Sequence, residues 1–176
     1  MSGARRDALD WRVIRLSEVT STMDEAAAHA RGGDPAGTIV VADHQTSGRG
    51  QFGRHWLEPP GTCLLATIVL RPAMAIATRP EISREIAETV AAAIHRVTGL
   101  CPTIKEPNDV LIGGRKVCGI LSQSSIRGDQ LEYLLIGIGL NVNIPHDDLP
   151  VTTSTSLLVE TGVEHERDLL LDAILD

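Results

Sequence analysis

Leu134-Leu135-Ile136-Gly137-Ile138-Gly139-Leu140-Asn141-Val142-Asn143 is almost entirely apolar. A strand with one wet face alternates apolar and polar residues, so an unbroken apolar run reads as a central strand covered on both faces. Gly137 and Gly139 leave one face of this strand bare, which signals a close backbone approach or room for a ligand. Working outward, Val117 to Ile126 joins Leu131 to Val142 across Arg127-Gly128-Asp129 as a hairpin. Val110-Leu111-Ile112 and Lys116 to Ser122 flank Gly113-Gly114, a second hairpin signal. Three further strands are expected at Trp11 to Val19, about Gly37 to Asp43, and 62–71.

Helical signals fall between these strands. Ser21 followed by Thr22, Met23, Asp24 and Glu25 pairs a hydroxyl cap with early acids, and Gly32-Gly33 stops the helix after Arg31. From Pro80 to about Val97, residues Ile82, Ile86, Ala87, Val90, Ala93, Ile94 and Val97 recur at helical spacing, and Gly99 ends the run. A short helix is expected at Thr155 to Thr161 and another at Glu166 to Leu175. Residues 1–10 read as a flexible leader, 72–79 as a connector, and Thr103 to Asp109 as an extended piece broken by Pro107. Hairpin-joined strands with a few helices make the fold class α+β rather than doubly wound, in one domain over 11–176.

The 176 residues are enough for one real core, and with a single phenylalanine, a single tyrosine and two tryptophans that core must be aliphatic. A net charge of −7 argues against a general nucleic-acid binder, although it leaves a local basic cleft open. The three cysteines, Cys63, Cys101 and Cys118, form no C-x-x-C pair, which fits a reducing compartment and neither a disulfide framework nor a zinc site. Cys63 and Cys118 sit in apolar runs and read as buried small hydrophobes. The histidines show no ligand spacing, so no metal residues are assigned. The N-terminus lacks an apolar signal core and no stretch is long enough to span a membrane, so a cytoplasmic protein is expected.

Four stretches carry candidate chemistry. Gln45 to Trp56, Gln-Thr-Ser-Gly-Arg-Gly-Gln-Phe-Gly-Arg-His-Trp, places three glycines and two arginines between two strands. It is an anion cradle or a long ordered turn. Its G-x-G-x-x-G match is not the dinucleotide fingerprint, because the Pro59-Pro60 that follows starts no helix. Lys105-Glu106-Pro107-Asn108-Asp109 offers amide and carboxylate groups to a nucleotide or Mg²⁺, or is an ordinary Asn-Asp turn. Arg115-Lys116 and Gly119 enter an apolar strand; the lysine either meets an anion or snorkels from the strand end. Ser21-Thr22 reads first as a helix cap, and a cap can also direct its amides at a carboxylate or ureido oxygen.

Together these motifs resemble a known family. S-T-M-D (Ser21–Asp24), Q-x-x-G-R-G-x-x-G-R-x-W (Gln45–Trp56), K-x-P-N-D (Lys105–Asp109), R-K-x-x-G-I-L (Arg115–Leu121) and G-I-G-L-N-V-N (Gly137–Asn143) occur in the order and spacing of biotin protein ligase catalytic domains. The resemblance implies a fold related to class II aminoacyl-tRNA synthetases, with a mixed, largely antiparallel sheet and helices on one side. It implies that biotin and ATP with Mg²⁺ are substrates, that no cofactor is tightly bound, and that biotinyl-5′-AMP is the intermediate. The biotinyl group then passes to a lysine of a biotin carboxyl carrier protein domain, in acetyl-CoA carboxylase or another biotin-dependent carboxylase. By resemblance Ser21, Thr22, Met23, Gln45, Arg49, Gly50, Gln51, Lys116 and Gly119 bind biotin, with Lys116 and Arg49 catalytic. Arg54, Trp56, Lys105, Asn108, Asp109 and Asn141 serve the nucleotide. Gly119, Gly137 and Gly139 leave space for the bicyclic ring and the adenosine.

Three departures carry expectations of their own. Gln51 and Phe52 stand in a loop that is usually richer in arginine, so weaker retention of the adenylate is expected. Glu106 stands where the family has tryptophan, which is expected to weaken ATP binding. The small C-terminal β-barrel of the family is not expected after residue 176, nor a winged helix before residue 11, so neither a repressor role nor DNA binding is expected. A homodimer paired at a sheet edge is compatible with the pattern. Two alternatives stand beside the ligase. One is a lipoate or octanoyl transferase, although the R-R-x-x-G-G-G-x-V-x-H type of motif is not found. The other is a non-catalytic biotin or biotinyl-AMP binder.

Overall fold

A computed structural model describes residues 10–72 and 81–176. Residues 1–9 of the expected leader, most of the 72–79 connector, and Pro80 lie outside the described residues. Among the described residues the main sheet has seven strands in the order β1-β2-β5-β9-β8-β7-β6. They are β1 (Arg12–Val19), β2 (Thr38–Gln45), β5 (Cys63–Leu70), β6 (Thr103–Lys105), β7 (Asp109–Ile112), β8 (Arg115–Arg127) and β9 (Gln130–Asn141). A two-stranded ribbon, β3 (Gly48–Arg49) with β4 (His55–Trp56), lies within the Gln45–Trp56 loop. Among the described residues, only β1 and β2 pair parallel in the main sheet, and every other pair in it is antiparallel.

The apolar run at 134–142 occupies the middle of the sheet, as its composition requires. Leu134, Leu135, Ile136, Ile138 and Leu140 are all buried. Both hairpins form: Gly113 and Gly114 take φ of 57° and 78°, the double left-handed turn that matches strand twist, and Gly128 turns β8 into β9. The 103–109 segment is broken at Pro107, as expected. It folds back on itself, with Lys105 opposite Asp109, because β6 and β7 pair antiparallel on either side of Pro107.

Helix α1 (Thr22–Arg31) begins at Ser21, whose hydroxyl accepts the Met23 amide, and ends at Gly32. α2 (Ile82–Thr98) buries Ala87, Val90, Ala93 and Ile94 and ends at Gly99 with φ of 75°. The short α3 (Leu157–Thr161) is capped by Ser156, and α4 (Arg167–Leu175) buries Leu170, Leu171, Ala173 and Ile174.

The helices do not all lie on one side, contrary to the expectation from resemblance. α2 and α4 cover one face, packing on Ile39, Leu64, Ile68, Ile120 and Leu140. On the other face, Met23, Ala26 and Ala30 of α1 pack on Val40, Val69 and Leu135. Strand alternation explains the division, since adjacent residues of β2 and β5 point to opposite faces. No helix among the described residues is long and apolar enough to cross a membrane.

Candidate active site

The site lies on the α1 face of the sheet, where β9 has no side chains to offer. A Cβ on Gly137 would come within 2.9 Å of Met23 Sδ, and one on Gly139 within 2.8 Å of Trp56 Cε2. The bare face foreseen at these glycines is therefore occupied by Met23 from α1 and Trp56 from β4. Gly119 on β8 is opposite Gly139 and leaves room for the same indole and for the Lys116 stem.

Two of the cavities walled by Trp56 hold the expected residues. The inner one encloses only about 50 Å³ and is lined by Ser21, Thr22, Met23, Gln45, Arg49, Gly50, Gln51, Asn108, Lys116 and Gly119, with apolar floor residues Leu65 and Ile138. The outer one holds about 540 Å³ and is lined by Arg54, Lys105, Asn108, Asp109, Lys116 and Asn141, among others. Every residue expected to touch biotin thus lines the inner cavity, and all those expected to touch nucleotide line the outer one. Lys116 and Trp56 face both. What brings them together is the sheet register, since β8 and β9 place Gly119, Gly139 and Lys116 against the end of α1 and the loop from β2.

The inner wall is a hydrogen-bonded set. Gln45, at the end of β2, uses Oε1 to accept the Thr22 backbone N–H at 2.8 Å and the Thr22 hydroxyl at 3.1 Å. Behind them the Thr67 hydroxyl on β5 lies 2.8 Å from Thr22 Oγ1. Thr67 did not stand out in the sequence; its only signal was a hydroxyl inside the otherwise apolar run 63–70. Gln45 is also held from its main chain, whose N–H donates to Glu58 Oε1 at 2.9 Å. The Glu58 side chain is fully buried, and burial raises its pKa against the opposing pull of the Gln45 amide and His44.

The cations are all held by internal acids or exposed. Lys116 Nζ lies 2.6 Å from Asp109 Oδ1 and 5.8 Å from the centre of the Trp56 ring. Its strand-end position thus combines an anionic partner with a partly exposed stem. Arg49 on β3 pairs with Asp24, one of the acids in the first turn of α1. Arg54 donates to the Gln51 carbonyl at 3.2 Å and sits 5.8 Å over the Phe52 ring. Phe52 is 92% exposed and is the only non-glycine among the described residues with a left-handed φ, at 57°. Lys105 is exposed and has no ion pair among the described residues.

Two of the expected nucleotide residues are engaged within the protein. Asn108 donates to the Ile120 carbonyl at 2.8 Å, pinning the 106–108 turn to β8. Asn141 donates to the Thr155 carbonyl at 2.9 Å and is met on its oxygen by the Cys63 thiol at 3.5 Å. Glu106 turns away from both cavities and pairs with Arg84 on α2 at 2.9 Å. Its charge is thereby opposed by a neighbouring cation in an exposed pair, and it lines neither cavity. Cys63 and Cys118 are buried as expected; burial pushes the Cys63 thiol up to about 12 and the Cys118 thiol up as well. Cys101 is exposed.

A model of the biotin/lipoate A/B protein ligase family matches residues 15–141. The bifunctional ligase/repressor BirA of Bacillus spizizenii is 34% identical, over 98% of this chain and 54% of that protein. A biotin–[acetyl-CoA-carboxylase] ligase of Paracoccus denitrificans is 35% identical, over 77% of this chain and 58% of its own length. Among solved structures, the Aquifex aeolicus biotin protein ligase in complex with biotin and ATP superposes with a TM-score of 0.78 at 31% identity, covering 93% of this chain and 66% of that one. The biotin-bound Leishmania major enzyme gives 0.73 at 29% identity, over 92% of this chain and 70% of that one. The chain spans between half and three fifths of the length of the two sequence relatives named.

Proposed function

The chain belongs to the biotin/lipoate A/B protein ligase family, and on that premise we propose that it is a biotin–[acetyl-CoA-carboxylase] ligase. It activates biotin with MgATP to biotinyl-5′-AMP, and then passes the biotinyl group to a lysine of a biotin carboxyl carrier domain. The observation that carries this reading is the position of Lys116, which faces both the inner cavity with its polar wall and the outer, wider one.

In the first step a biotin carboxylate oxygen attacks the α-phosphorus of ATP and pyrophosphate leaves. Both reactants are anions, so their approach needs a fixed cation between them. Lys116 supplies it on exchanging Asp109 for the substrates. The inner wall suits a ureido ring: with Gln45 Oε1 already holding two donors, its NH₂ group is left to donate to a carbonyl oxygen. In the second step the carrier lysine amine attacks the acyl carbon and AMP leaves.

A cavity of about 50 Å³ is far below the roughly 300 Å³ at which ligand pockets begin. Entry of biotin therefore displaces Trp56 and the Arg49–Gln51 segment, which reclose over the adenylate and keep water from it. We assign the reaction to the cytoplasm.

The test is pyrophosphate release by the purified protein. It should require biotin and ATP together and disappear in Lys116→Ala. Release with lipoate in place of biotin would point to the lipoate branch of the family. Biotin binding without release would reduce the chain to a binder.

A further inference from the structure

We propose that Thr67 is a positioning residue that fixes the donor and acceptor pattern of the inner cavity; the inference rests on the biotin reading of that cavity. Thr67 does not line the cavity. It stands on β5 opposite Gly137 and Val40, fully buried, with its hydroxyl 2.8 Å from that of Thr22.

The direction of every hydrogen bond in the set follows from one backbone group. The Thr22 N–H has only a proton to give, so the atom of Gln45 that meets it must be the carbonyl oxygen. That oxygen also lies 3.1 Å from the Thr22 hydroxyl, which must then donate. Its single proton is thereby committed, so at 2.8 Å Thr67 must be the donor to Thr22. The relay runs one way, from Thr67 to Thr22 to Gln45. It leaves the Gln45 NH₂ group, which makes no hydrogen bond among the described residues, as a donor to the cavity. It also leaves one lone pair on Thr22 as an acceptor.

A donor beside an acceptor is the complement of a cyclic urea, which presents C=O and N–H side by side. Without the Thr67 proton, the Thr22 hydroxyl keeps only its bond to Gln45 of the two that fix it, and a buried lone pair goes unmatched. The pattern offered to the ligand then loosens, although no cavity-lining atom has been removed.

The experiment is a graded series at one position. Thr67→Ser keeps the hydroxyl, Thr67→Cys keeps a weak donor, and Thr67→Val keeps the shape with no donor. Biotin Kd by calorimetry, with KM and kcat for biotin-dependent pyrophosphate release, should follow donor strength. Serine should match wild type, cysteine should fall between, and valine should bind about three- to tenfold more weakly with kcat at saturating biotin little changed, the scale of one hydrogen bond. Equal affinity across the series overturns the relay while leaving the ligase reading intact. Serine failing alongside valine also overturns it, because packing rather than the proton would then be at stake. Absence of biotin binding in the wild-type protein overturns the reading of the cavity, and the relay with it. Should valine not fold, the serine and cysteine variants alone give the comparison.

Discussion

Lys116 Nζ and Asp109 Oδ1 lie 2.6 Å apart, a lysine at the start of β8 held by an acid at the start of β7. Neighbouring strands of a hairpin set this distance, so the ammonium is aimed before any substrate arrives. Lys116→Ala should lower biotin-dependent pyrophosphate release by about a hundredfold or more, the usual cost of removing one charge-stabilising group. The melting temperature should move little, because a partly exposed pair contributes about 1 kcal/mol at most. A pyrophosphate assay and a thermal melt on the same preparation check both parts.

Gly139 and Gly137 face different neighbours and should respond differently to an added methyl. At Gly139 the methyl meets the rigid indole of Trp56 at 2.8 Å; at Gly137 it meets the thioether of Met23 at 2.9 Å. A thioether re-orients at small cost, whereas the indole packed over Gly119 and Gly139 has to shift as a whole. Gly139→Ala should cost about 1–3 kcal/mol or expel the ring, and Gly137→Ala less. Chemical denaturation gives the ordering, and tryptophan fluorescence reports the displacement of Trp56.

Glu58 predicts a pH dependence with a definite sign. Burial raises its folded-state pKa above the unfolded one. The folded protein therefore holds the proton longer than the unfolded chain does, and stability falls as pH rises through that window. Glu58→Gln has no proton to lose and still accepts the Gln45 N–H through its amide oxygen. The stability difference between Glu58→Gln and wild type should grow in favour of the variant from about pH 4 toward neutrality. Denaturation midpoints at four or five pH values would show this; parallel profiles would refute it.

Gln51 lines the inner cavity without adding charge, and Arg54 is turned onto Phe52 and the Gln51 carbonyl. Few fixed cations then remain to hold a leaving adenylate. Biotinyl-AMP should dissociate in seconds rather than minutes, and Gln51→Arg should slow its release several-fold. Filter-based off-rates with labelled biotin measure this, and a minutes-scale wild-type rate would remove the premise.

The long strands of the main sheet were legible from apolar residues bounded by glycine or a turn, and 134–142 announced itself as the centre; the two-residue strands β3 (Gly48–Arg49) and β4 (His55–Trp56) were not, since neither is an apolar run. Ser21 and Gly99 were legible as helix ends because capping is local. What could not be read locally was pairing at a distance. Glu106 pairs with Arg84, 22 residues earlier, and nothing near either residue announces that pairing. The placement of α1 on the face opposite α2 depends on which side of β2 and β5 each helix returns to, which the pattern within a helix does not encode. Thr67 matters only because register sets it opposite Gly137 and beneath Thr22, and a lone hydroxyl in a strand carries no such address. The site motifs themselves were legible as a set, since their order along the chain becomes adjacency once β8 and β9 pair.

The contrast among the three thiols has a practical consequence. Cys63 and Cys118 are enclosed and kept protonated, whereas Cys101 stands in the open between α2 and β6, and it lines neither cavity. A maleimide dye added at neutral pH should therefore attach at one position, and without cysteine mutagenesis. That gives the native chain a built-in handle for tethering to a surface or for fluorescence anisotropy, with the Trp56 loop left free to open and close.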